Sequence, residues 1–172
     1  MADAVEGDDA DAAHANSNPR DKMKSEGILI VDDNESNLRL MQAIVDSEGY
    51  PVKSATDAQE ALEVLQTWQP KLILMDIQMP GIDGLELTRR LKRDPRYRGT
   101  VIVALTAYAM KGDEEKARDA GCDGYVTKPI DTRTLPGIIK DYLRHALNAR
   151  EAPVARPQRA RRNTKRSLAS RD

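Results

Sequence analysis

Asp32-Asp33, Asp76, Thr106 and Lys128-Pro129 are the residues of this chain that could do chemistry together, because each cluster follows an apolar run of β type. The runs are Ile28-Leu29-Ile30-Val31, Leu72-Ile73-Leu74-Met75, Val101-Ile102-Val103-Ala104-Leu105 and Tyr125-Val126-Thr127. In an open parallel sheet the carboxyl ends of neighbouring strands converge on one crevice, where ligands bind. Three carboxylates, one hydroxyl and one ammonium would then meet at one sheet edge. Such a set can hold a divalent cation, offer a carboxylate nucleophile and neutralise a phosphoryl group.

Asp76 is the candidate nucleophile, since a carboxylate can attack phosphorus to form an acyl phosphate. Asp32 and Asp33 are candidate metal ligands beside it: adjacent acids at a strand end repel unless a cation sits among them. Mg²⁺ suits such a site because it takes a few carboxylates together with waters and phosphate oxygens. The Thr106 hydroxyl could bond a phosphoryl oxygen. Lys128 could pair with the carboxylate before reaction and with the phosphate after it. Pro129 suggests a cis bond that aims Lys128 inward, although cis is the minority state for an X–Pro bond. Singly, each signal is weak. Asp76 could be a helix cap, though Pro80 and Gly81 intervene before any helical pattern; Asp32 or Asp33 could cap the first helix; Lys128 could be a solvated lysine.

Five strand–helix alternations would position these residues. Strands are expected at about 28–32, 51–55, 71–76, 100–106 and 123–127. Helices are expected at about 35–48, 57–69, 84–93, 112–120 and 132–147. The first helix carries Leu38, Met41, Ile44 and Val45 at helical spacing. The second opens on Asp57 with Glu60 three residues on, like a capping box, and carries Ala58, Ala61, Leu62, Leu65 and Trp68. Pro51 cannot donate to a ladder, which makes the second strand an edge strand. Strands one, three and four are near-continuously apolar, as when helices cover both faces. The fourth helix has a poor apolar stripe (Ala109, Met110, Ala117, Ala120), so it should dock loosely. The fifth carries Leu135, Ile138, Ile139, Tyr142, Leu143 and Ala146, with Pro136 tolerable in its first turn. These units predict an α/β fold: a doubly wound, flavodoxin-like five-stranded parallel sheet of order 2-1-3-4-5 with five helices.

The chain has 172 residues with a formal net charge of −1, a balance that hides a strong polarity. Residues 1–26 hold seven acidic and three basic residues; residues 151–172 hold seven basic and two acidic ones. The expected organisation is a disordered acidic tail (1–26), one domain (27–149) and a disordered basic tail (150–172). With one cysteine, Cys122, no disulfide can form within the chain. The two histidines, His14 and His145, lie far apart and have no cysteine partners, which argues against zinc. No apolar run reaches membrane-spanning length and no secretory signal opens the chain, so the expected location is the cytoplasm.

Taken in order, Ile30-Val31-Asp32-Asp33, Leu74-Met75-Asp76-Ile77-Gln78-Met79-Pro80-Gly81, Ala104-Leu105-Thr106-Ala107 and Gly124-Tyr125-Val126-Thr127-Lys128-Pro129 resemble the receiver domain of two-component response regulators. The resemblance covers about residues 27–147. Thr106-Ala107-Tyr108-Ala109-Met110-Lys111-Gly112-Asp113 is most similar to single-domain cell-cycle receivers and to receivers of hybrid kinases. It implies a phosphohistidine donor, on a histidine kinase or phosphotransfer protein, with Mg²⁺ and an aspartyl phosphate on Asp76. It also implies a switch formed by Thr106 and Tyr125, and a protein target that binds the face made by helix four, strand five and helix five. The protein would be a phospho-acceptor that promotes its own phosphorylation and slow dephosphorylation, rather than an enzyme in the ordinary sense. The chain departs from the family in having no Phe, so sites filled by Phe elsewhere are filled differently here.

Other readings compete. An aspartyl-nucleophile phosphatase would place a second acid two residues after Asp76, where Gln78 stands. A nucleic-acid binder would act through Arg156, Arg159, Arg161, Arg162, Lys165, Arg166 and Arg171, without sequence preference, and the 22 residues of segment 151–172 leave no room for a DNA-reading module. A phosphate-independent scaffold would not need an intact acceptor site. Onward relay of the phosphoryl group is a further alternative.

Overall fold

The structure, a computed structural model, describes residues 27–81, 83–107 and 111–151. Five strands, β1 (Ile28–Val31), β2 (Val52–Ala55), β3 (Leu72–Asp76), β4 (Val101–Thr106) and β5 (Gly124–Thr127), alternate with five helices. The helices are α1 (Glu35–Ser47), α2 (Ala58–Thr67), α3 (Gly84–Arg93), α4 (Lys111–Ala120) and α5 (Leu135–Glu151). A 3₁₀ turn at Pro95–Tyr97 leads into β4. The sheet is parallel with order β2-β1-β3-β4-β5, the expected flavodoxin-like arrangement.

Alternation along the strands divides the core. Ile28 and Ile30 of β1 face α1 and α5, with Leu38, Met41, Val45, Leu135, Ile139 and Leu143. Leu29 and Val31 face α2 and α3, with Ala61, Leu65, Leu87 and Leu91. Both faces of β1 and β3 are therefore fully covered, which is why their sequences read as unbroken apolar runs. Under α4 the packing is thinner: Ala117 and Ala120 are the buried side chains of its described residues, against Ile77, Leu85 and Ala104. Ala109 and Met110, the other half of the expected stripe, lie outside the described residues.

Local details differ from the pattern expectations. Pro51 stands just before β2, where its carbonyl accepts the Ile28 N–H at 2.8 Å. Its missing N–H costs the ladder nothing there. Trp68 ends α2 in an extended conformation, while its ring still packs on the α2–α3 side of the core. Asp57 caps α2 by accepting the Glu60 N–H, but the Glu60 carboxylate turns back to the N–H and hydroxyl of Thr56 instead of closing a box with Asp57. Helix α5 starts later than expected and runs through Glu151. Of the expected tails, 1–26 and 150–172, residues 1–26 and 152–172 lie outside the described residues, whereas Arg150 and Glu151 continue α5 past the expected boundary at 149. Among the described residues no helix is long and apolar enough to cross a membrane.

Candidate functional site

Parallel register brings the strand ends level: Val31 pairs with Met75, Asp76 with Leu105, and Thr106 with Thr127. The residues that follow β1, end β3 and β4, and follow β5 therefore share one rim. Asp32 is fully buried and Asp76 is 2 % exposed, whereas Asp33 faces solvent. Carboxylate oxygens of Asp32, Asp33 and Asp76 lie within 4.8 Å of one another. Lys128, after β5, reaches both buried acids, with Nζ 2.7 Å from Asp32 Oδ2 and 2.6 Å from Asp76 Oδ2.

The chain around each acid explains its aim. Beyond β3 the Asp76 Oδ1 accepts the Gln78 N–H at 2.9 Å, a turn that leaves Oδ2 for Lys128. Asp76 is not a helix cap: α3 is capped by Asp83, whose Oδ1 accepts the Glu86 N–H. Neither Asp32 nor Asp33 caps α1, since Asn34 does so, accepting from the N–H groups of Ser36 and Asn37. Asp32 instead accepts from the Asn34 N–H at 2.9 Å and from Asn37 Nδ2, 3.2 Å from each carboxylate oxygen. The Lys128–Pro129 bond is cis, and the Lys128 N–H donates to the Thr106 carbonyl at 2.7 Å. Thr106 closes β4 at 3 % exposure, while Tyr125 on β5 is 41 % exposed. A cleft of about 240 Å³ between α4 and β5 is lined by Ala117, Arg118, Cys122 and Tyr125.

Burial works to lower the Lys128 pKa, but hydrogen bonds to Asp32 and Asp76, and the charge of both, outweigh it and raise that pKa above the ordinary ammonium value. The ammonium thus acts as an internal counter-ion for two desolvated carboxylates. The donor set fits Mg²⁺: hard oxygen ligands from three carboxylates, one of them open to solvent so that waters can complete the shell.

Two neighbours of the site escape sequence reasoning. Asn37 reads as an ordinary polar residue of α1, and only its place three residues after a capping Asn hints that it turns back toward the acids. Gly84 opens α3 against the backbone of Asp76 and Ile77, and a Cβ there would run into the Asp76 carbonyl.

The response regulator receiver domain profile matches residues 28–140. The chain belongs to the response regulator receiver family. The polar-differentiation response regulator DivK of Brucella anthropi is 43 % identical over 116 residues, covering 67 % of this chain and 94 % of that protein. DivK of Brucella ovis is 42 % identical over 119 residues, covering 69 % of this chain and 97 % of its own length. Among solved structures, a CheY-like receiver domain protein from Methanospirillum hungatei aligns with a TM-score of 0.68 and 31 % identity over 73 % of this chain and 98 % of that one. The receiver domain of a Pseudomonas aeruginosa sensor histidine kinase, solved with magnesium in its active-site cleft, aligns with a TM-score of 0.63 and 33 % identity over 69 % and 98 % of the two chains. Receiver domains accept phosphoryl groups in two-component signalling, and this chain gathers Asp32, Asp33 and Asp76 in one acidic pocket. The basic residues behind the nucleic-acid reading, Arg156 to Arg171, lie outside the described residues.

Proposed function

We propose that this chain is a single-domain response regulator that accepts a phosphoryl group on Asp76 from a histidine kinase or histidine phosphotransfer protein. The observation that carries this reading is the bridge from Lys128 to both Asp32 and Asp76, beside a third carboxylate at cation-binding distance. One Asp76 carboxylate oxygen attacks phosphorus, the O–P bond forms as the donor's N–P bond breaks, and the electron pair stays on the imidazole. Lys128 turns from the carboxylate to the new phosphoryl oxygens, and the Thr106 hydroxyl donates to another. Asp32, Asp33 and Asp76 would hold Mg²⁺, which would supply positive charge to offset the charge of the transferring group. Catalysis is then mainly positioning and electrostatics.

Phosphorylation shifts a pre-existing equilibrium. Thr106 is drawn toward the phosphoryl group, and Tyr125, exposed in this structure, moves into the space it leaves. The readout is a protein–protein contact on the α4–β5–α5 face. The test is acetyl phosphate with Mg²⁺, followed by borohydride trapping and mass spectrometry. The expected result is one adduct, on Asp76, lost in Asp76→Asn and dependent on Mg²⁺. Label elsewhere, or undiminished label in the variant, overturns the reading.

A further inference from the structure

We propose that Asn37 is a positioning residue for the divalent cation: its side-chain amide holds Asp32 in the orientation that joins Asp33 and Asp76. The inference rests on the reading of the three acids as a Mg²⁺ site. It starts from burial. Asp32 is wholly out of contact with solvent, so protein donors must satisfy its oxygens. Three residues do so: Asn34 through its backbone N–H, Lys128, and Asn37, whose Nδ2 lies 3.2 Å from Oδ1 and 3.2 Å from Oδ2.

These donors respond differently to an incoming cation. Lys128 is shared with Asp76 at 2.6 Å and carries the same sign of charge as Mg²⁺, so a cation among the three acids repels it. Asn37 is neutral and meets no such repulsion. It can keep its hold on Asp32 while the ammonium gives way, and it adds no charge that would lower cation affinity. Arg or Lys at this position would hold the carboxylate equally well and oppose the metal.

The first turn of α1 supplies the aim. The Asn34 side chain caps the helix and accepts the Asn37 N–H at 3.1 Å, while the Asn34 N–H bonds Asp32 Oδ1 at 2.9 Å. Asn37 then closes the ring onto Asp32. Helical side chains tilt toward the N-terminus, so the third helical residue points back over the cap to the end of β1. Asn is a poor helix former compared with Leu or Gln, so this place is better explained by the contact it makes than by helix stability. A ligand held by an outer partner loses metal affinity, typically 10- to 100-fold, when that partner is removed.

Calorimetric titration of the full chain with MgCl₂ at pH 7 tests this, using wild type, Asn37→Leu and Asn37→Gln. The expected result is a Mg²⁺ dissociation constant raised roughly tenfold in Asn37→Leu and largely restored in Asn37→Gln, which keeps the amide. In acetyl phosphate labelling the half-saturating Mg²⁺ concentration should rise by the same factor, with the maximal rate unchanged. A merely structural role would lower the ion-free melting temperature and leave the dissociation constant alone, so affinity within twofold of wild type overturns the proposal. Asn37→Ser, which shortens the side chain but stays polar, carries the same prediction should Asn37→Leu not fold. A wild type that binds no Mg²⁺ overturns the cation reading itself; a wild type that binds normally beside an unaffected Asn37→Leu overturns only the role of Asn37.

Discussion

Lys128 does the work of a cation in this structure. Two carboxylates, both almost completely desolvated, share its ammonium, and neither would tolerate burial beside the other without it. Lys128→Met should therefore destabilise the ion-free protein by about 3 kcal/mol, in the range seen when one partner of a buried pair is removed. Added Mg²⁺ should recover much of the loss by binding linkage; denaturant melts with and without MgCl₂ measure both. The pH dependence has a definite sign. The folded-state pKa of Lys128 is raised above its unfolded value, so its contribution is fully present below the ordinary lysine value of about 10.4. It is lost as pH climbs through the folded value. The stability difference between wild type and Lys128→Met should be flat from pH 7 to about 10 and shrink above it; a difference that vanishes on the acid side of that range instead would contradict the pairing. At this scale the meeting of Asp32, Asp33, Asp76 and Lys128 at one rim was legible because strand ends label themselves: an apolar run followed by Asp, Thr or Lys. Asn37 was not legible, because its meaning depends on a contact back across the cap. The Lys92–Asp123 ion pair at 2.7 Å, which ties α3 to the start of β5, joins residues too distant in sequence for spacing to suggest it. Tyr97 was missed as core because it sits just after Asp94-Pro95, which reads as a helix stop; its hydroxyl is buried and donates to the Leu65 carbonyl at 2.7 Å.

Two elements act directly on the site. Helix α3 begins at Gly84 so close to the Asp76 carbonyl that no side chain fits between them. Backbone, unlike the tip of a flexible side chain, cannot step aside. Gly84→Ala should cost about 1–3 kcal/mol, as overpacking does, and slow labelling of Asp76 because the displaced atoms belong to the proposed acceptor residue itself. Chemical denaturation and the rate of acetyl phosphate labelling report the two effects, and a variant unchanged in both would show that the turn yields freely. Helix α4 is the opposite case. Its described buried side chains are two alanines, and a cleft separates part of it from β5. The poor stripe in the sequence foretold this thin anchorage, and weakly packed elements are the ones that move. Tyr125 stands at the edge of that cleft, half in solvent. Tyr125→Ala should leave phosphorylation of Asp76 intact and weaken phosphate-dependent binding to a protein target, read as a pull-down with and without acetyl phosphate. Equal loss of phosphorylation and binding would place Tyr125 in the chemistry rather than in the readout. Element positions were read to within a residue or two for most strands and helices, since apolar runs and caps mark them. The later start and longer run of α5 were not, because the polar stretch from Asp131 to Thr134 gives no periodic signal.

The molecule has two poles, and they are set by the parallel sheet. Every strand delivers its carboxyl end to the acidic rim, and every helix returns the chain to the opposite edge. At that far edge Gly27 accepts the Lys71 N–H at 2.8 Å and Lys71 accepts the Val101 N–H at 2.9 Å. The end of α5 arrives there too: His145 and Ala146 line a groove with Thr100 and Val101, the residues that open β4. The described chain thus begins at the pole opposite Asp76, and α5 carries it toward that same pole. Segments 1–26 and 152–172, which carry the opposed charge of this sequence, therefore join the described chain on the side of the sheet away from the acidic rim. Removing residues 152–172 should leave the rate and Mg²⁺ dependence of acetyl phosphate labelling at wild-type values. Any binding of nucleic acid through Arg156 to Arg171 should disappear with the segment and weaken steeply with salt, as phosphate contacts do. Labelling measured alongside filter binding at two salt concentrations separates the properties. A folded, truncated protein that no longer accepts phosphate would mean that the basic segment reaches around the domain to the acidic rim, and that the two poles are not independent.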